Sequence, residues 1–94
     1  MFLLIKIYTH YVNKEVGDTI RELRKEKHLS QEKLADAIDS HQVYISEIEK
    51  GIKLPSLIII NNIAKAFDVS LTYFMSRVEK KLEKSDTQEP PKNV

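Results

Sequence analysis

Apolar residues recur at helical spacing through most of this chain. Val16, Ile20 and Leu23 fall at i, i+4 and i+7 and predict a helix over 14–28 with one apolar stripe. Leu34, Ala35 and Ile38 predict a second helix over 30–38, with Ser30 as N-cap. Ala35 is small where the second and third helices would cross closely. The pattern breaks at Asp39-Ser40-His41 and resumes with Ile45 and Ile48, so a third helix covers 42–50. It stops at Gly51, a residue that accepts positive φ. Leu57, Ile60, Ile63, Ala64 and Phe67 mark a fourth helix, opened by Pro55-Ser56; proline fits a first turn, where its missing amide has no partner to lose. Ile58 and Ile59 exceed what one stripe needs, and Asn61 and Asn62 belong on an exposed side. Leu71, Phe74, Met75, Val78 and Leu82 predict a fifth helix, capped by Ser70 and ending near Glu83. The fold class is therefore all-α. Leu71, Phe74 and Met75 would close the core, whereas Val78 and Leu82 have nothing evident to cover in a monomer.

The two ends differ from this middle. Residues 1–13 are rich in β-formers and aromatics, are too short to span a bilayer and lack the small-residue cleavage site of a secretory signal. Two readings stay open: an extension packed loosely on the domain, or a short strand or arm that pairs with its copy in a dimer, since a lone strand leaves backbone groups unpaired. Residues 84–94 are polar with two adjacent prolines and read as a disordered tail. The domain proper is 14–83.

The second and third helices, joined by a short polar turn, have the form of a helix-turn-helix. The third carries few apolar residues, and its free face shows Gln42, Val43, Tyr44, Ser46, Glu47 and Lys50. Such a face suits the major groove of DNA better than a protein core. Candidate base contacts are Gln42, Val43, Ser46 and Glu47. A glutamine amide can bind adenine through two hydrogen bonds, a valine can touch a thymine methyl, and a glutamate can accept from a cytosine amino group. Glu47 equally suits repulsion of phosphate at wrong sites, or the holding of a neighbouring Arg or Lys. Candidate phosphate contacts are Tyr44, Lys50, Lys53 and His41. Ser40 or the His41 ring is also placed to cap the third helix imperfectly, and Asp39 tolerates a left-handed backbone.

Charge does not by itself point to nucleic acid. The 94 residues carry a net charge of +1, and residues 14–54 hold eight Lys/Arg against nine Asp/Glu. Binding to DNA would rest on the placement of a few cations and amides, with modest non-specific affinity. There is no cysteine, so disulfides and thiolate metal sites are excluded, and His10, His28 and His41 have no ligand-like spacing. No nucleophile is paired with a base and no carboxylate cluster suits a metal, so neither catalytic residues nor a metal or other cofactor is expected.

Several short signatures fall in one register. Leu29-Ser30-Gln31-Glu32, Leu34-Ala35, Tyr44-Ile45-Ser46, Ile48-Glu49-Lys50-Gly51, Pro55-Ser56-Leu57, Ile63-Ala64-Lys65-Ala66-Phe67 and Val69-Ser70-Leu71 resemble, in order and spacing, the Cro/C1-type (Xre-like) helix-turn-helix domain of phage and bacterial repressors. The resemblance covers roughly 16–75. It implies a five-helix, lambda-repressor-like DNA-binding domain. It also implies that Gln31 contacts the DNA backbone and that Arg24 pairs with Glu49 to fix the third helix against the first. The chain departs from the family at Asp39, where relatives often have glycine, and at His41, where they have a hydroxyl cap.

The function this implies is a cytoplasmic, sequence-specific transcriptional regulator, of repressor or controller type, that binds double-stranded DNA as a homodimer. Its near-palindromic operator would have half-sites about 34 Å apart. Ile58, Ile59, Phe74, Val78 and Leu82 are the candidate dimer contacts. The alternatives are an autoregulatory antitoxin with a toxin partner, and a scaffold that binds protein, such as polymerase, without reading DNA. No membrane partner is expected.

Overall fold

The computed structural model describes residues 2–88, which form five helices and no strand. They are α1 (Phe2–Glu26), α2 (Gln31–Ala37), α3 (Gln42–Glu49), α4 (Leu57–Ala66) and α5 (Leu71–Gln88). Three serines open helices by accepting a backbone amide: Ser30 from Lys33 at 3.0 Å, Ser56 from Ile59 at 3.2 Å and Ser70 from Tyr73 at 2.9 Å. Each removes one orphan donor from a first turn. Pro55 is buried and precedes the Ser56 cap rather than occupying the first turn of α4.

Helix ends are closed by left-handed residues. His28, Asp39 and Asp68 have φ of 59°, 57° and 61°, and Gly51 has φ of 79°. Each follows a helix whose terminal carbonyls are then bonded backwards, as in Ser40 N to Ala35 O at 2.8 Å and Val69 N to Ala64 O at 3.0 Å. This is the Schellman arrangement, and only one of its four positions here is glycine.

The core joins Val16, Ile20 and Leu23 of α1 to Leu34, Ala35, Ile45, Ile48, Ile60, Ile63, Ala64, Phe67, Phe74 and Val78. Helix α1 packs on both α3 and α5. Along α5 the partners run in opposite directions, since Arg77 meets Glu26 at 2.9 Å and Lys81 meets Glu22 at 2.6 Å.

Four expectations are corrected here. The short N-terminal strand or arm is helical, continuous with α1 from Phe2. Extending an existing helix adds one hydrogen bond per residue fixed, whereas a strand would need a partner. The fifth helix does not stop at Glu83 but continues to Gln88, so 84–88 are helical; the remainder of the expected tail lies outside the described residues. Phe74, expected both in the core and at a dimer contact, and Val78, expected at a dimer contact, are core side chains with 0% and 2% exposure, because α1 packs along α5. Conversely, Leu57 and Met75, expected in the core, are exposed, and Asn61 and Asn62 are half-buried.

Candidate nucleic-acid interface

Helix α3 is short and strongly two-sided. Ile45, Ile48 and Glu49 are buried, while Gln42, Val43 and Lys50 are exposed and Tyr44, Ser46 and Glu47 lie half-buried between them. Gln42, Val43, Ser46, Glu47, Lys50 and Ile52 line one open depression along its outer side. The four candidate base contacts therefore share a surface. His41 is the N-cap residue of α3, with extended backbone and no side-chain cap bond, so its ring remains exposed.

The back of α3 is fixed by a buried carboxylate. Glu49 has a side-chain exposure of 2%. Arg24 donates to it twice, from Nε to Oε2 at 2.7 Å and from Nη2 to Oε1 at 3.1 Å. The same guanidinium donates from Nη1 to the Leu29 carbonyl at 2.9 Å. Arg21 donates to the Glu49 backbone carbonyl at 2.7 Å, which satisfies an orphan acceptor at the end of α3 and sets a cation near the negative end of the helix dipole. A buried carboxylate this well supplied with donors orients its helix more than it adds net stability.

From Glu49 the bonding continues to the outer face. Gln31 donates from Nε2 to Glu49 Oε1 at 3.0 Å, and Gln42 donates from Nε2 to Gln31 Oε1 at 3.2 Å. Arg24, Glu49, Gln31 and Gln42 thus form one chain from α1 through α3 and α2 back to the start of α3. Each Gln31 amide atom is engaged, and Nε2 keeps one N–H for an outside acceptor. Gln42 keeps its carbonyl oxygen and one N–H. That is the acceptor–donor pair that adenine requires in the major groove.

Lys53 lies off α3 but returns to it. Its Nζ is 3.3 Å from Glu47 Oε1 and 5.9 Å from the centre of the Tyr44 ring. Ile52, beside it, is 62% exposed and lines the same depression as Gln42 and Val43. Sequence patterns missed Ile52, Arg21 and Gly17. The last had a signal: a glycine within a helix costs stability unless packing requires it. Among the described residues no single helix is long and apolar enough to cross a membrane.

Comparisons with known proteins find relatives of the same fold. The helix-turn-helix family matches residues 20–74. The chain is 40% identical over 58 residues to the ImmF control region 10 kDa protein of Bacillus phage phi105, covering 62% of this chain and 64% of that one. It thus spans less than two thirds of that relative. It is 46% identical over 54 residues to control protein C.BamHI of Bacillus amyloliquefaciens, covering 56% of this chain and 67% of that one. Among solved structures it is similar to the restriction-modification controller protein C.Esp1396I, seen as a tetramer in complex with its natural 35 base-pair operator. There the TM-score is 0.70 and identity 28%, over 77% of this chain and 95% of that one.

Proposed function

Because this chain belongs to the Cro/C1-type helix-turn-helix family, we propose that it is a sequence-specific DNA-binding transcriptional regulator of repressor or controller type. It acts as a homodimer on a near-palindromic operator, in the cytoplasm and without catalysis. The observation that carries the reading is α3 itself, a helix anchored from behind through Glu49 that leaves Gln42, Val43 and Lys50 exposed in a row of groove-sized side chains. Two controller proteins among its relatives, one of them described on its operator, support the same role.

In this reading Gln42 reads adenine, Val43 touches a thymine methyl, and Ser46 and Glu47 contact neighbouring bases. Gln31, Tyr44, Lys50 and His41 meet phosphates. Dimer contacts use the exposed Ile58 together with the half-buried Ile59 and Leu82. The near balance of charge in 14–54 favours one other reading, a protein-binding scaffold. A binding selection on random duplex DNA at two salt concentrations separates them. A regulator enriches a palindrome that Gln42→Ala loses, with salt-dependent affinity. A scaffold enriches nothing, and that outcome would reject the regulator.

A further inference from the structure

We propose that Lys53 is a specificity-determining positioning residue, which neutralises and holds Glu47 so that the free carboxylate oxygen reads cytosine. The inference rests on the DNA-reading role of α3 and assigns Lys53 a task other than a phosphate contact.

The loop after α3 brings Lys53 back by its backbone. The amides of Ile52 and Lys53 both donate to the Glu47 carbonyl, at 2.9 and 3.4 Å. The side chain then lies against Glu47 Oε1 at 3.3 Å and over the Tyr44 ring at 5.9 Å. Lys53 is thus tied to two residues of α3 through three kinds of contact, and Glu47 lines the same depression as Gln42 and Val43.

A lone carboxylate on this face would meet two rows of phosphates, and the repulsion grows as water is excluded. With Lys53 on one oxygen the local charge is cancelled, and the other oxygen keeps its lone pairs. A carboxylate can only accept. The donors on the major-groove edge are the amino groups of cytosine and adenine, and adenine sets its N7 acceptor beside its amino group, where it repels a carboxylate. Cytosine presents the donor alone. An exposed ion pair adds little to folding, so removing it leaves the fold intact.

The test is a selection on random duplex DNA with the full chain and with Lys53→Met, Lys53→Arg and Glu47→Gln, each checked for an unchanged thermal midpoint. The wild type and Lys53→Arg are expected to prefer cytosine about tenfold or more at one position of each half-site. Lys53→Met and Glu47→Gln lose that preference there and keep the rest of the site. Uniformly weaker binding by Lys53→Met, with its base preference unchanged, would overturn the proposal and make Lys53 a phosphate contact. A site in which Glu47→Gln alters no cytosine would overturn it as well. No enriched sequence for the wild type would reject the DNA-reading role, and the proposal with it.

Discussion

Gly17 of α1 meets the backbone of Ile48 so closely that a Cβ on Gly17 would lie 2.3 Å from the Ile48 carbonyl oxygen. It would also lie 3.0 Å from the carbonyl oxygen of Glu49. Both obstacles are backbone, which no rotamer change can move. The missing side chain therefore sets the distance between α1 and α3, and with it the reach of Arg24 to Glu49.

Gly17→Ala should consequently destabilise the protein by about 3 kcal/mol, although alanine is the better helix former by about 1 kcal/mol. Urea unfolding measures it. A variant as stable as the wild type would show that separating the two helices costs no more than the gain of about 1 kcal/mol that alanine's helix propensity returns.

The buried pair makes a second prediction. Glu49→Gln or Arg24→Met should each cost about 3 kcal/mol, because the first leaves Arg24 without its counter-charge and the second leaves the buried Glu49 carboxylate with only the more distant Arg21 Nε, at 3.7 Å, as counter-charge. The double variant should cost much less than the sum. A double-mutant cycle with no coupling would place the two residues as independent contributors.

How much of this was readable in advance differs by feature. Ser30, Ser56 and Ser70 lie next to the stripes they cap, so a local pattern is enough to find them. The Arg24–Glu49 contact spans 25 positions, and no periodicity gives it; it came from the family resemblance. Val78 misled for a related reason. Periodicity shows that a helix has an apolar face but not which face answers it, and α1, which covers Val78, comes first in the chain. The segment before Asn13 misled because its composition favours strands, while its attachment to a formed helix decides the outcome.

The left-handed helix ends offer a gain. Asp39→Gly and Asp68→Gly should each stabilise by about 0.5–1 kcal/mol, since a side chain at positive φ is strained and glycine is not. The sites end different helices, so their effects should add. His41→Ser should add about 1 kcal/mol by capping α3. Thermal midpoints check all three, and a fall at either aspartate would mean that its side chain does more than tolerate the turn.

The ion pairs between α1 and α5 predict an acid response. The Arg77 guanidinium, bonded to Glu26, holds that carboxyl below its ordinary value of 4.5. The unfolded chain therefore takes up the proton first. This contribution is full above pH 4.5 and is lost as pH falls through the lower, folded value. The stability difference between wild type and Arg77→Met should accordingly shrink as pH drops below 4.5. A difference that stays constant would mean that Arg77 acts by packing alone.

The closure of α1 by α5 also governs how the chain comes off the ribosome. Val16, Ile20 and Leu23 are made before Phe74 and Val78, which are part of what buries them. Until α5 has emerged, the nascent chain carries an apolar stripe open to water and to other chains. A chain truncated before Val78 should therefore aggregate rather than fold with reduced stability.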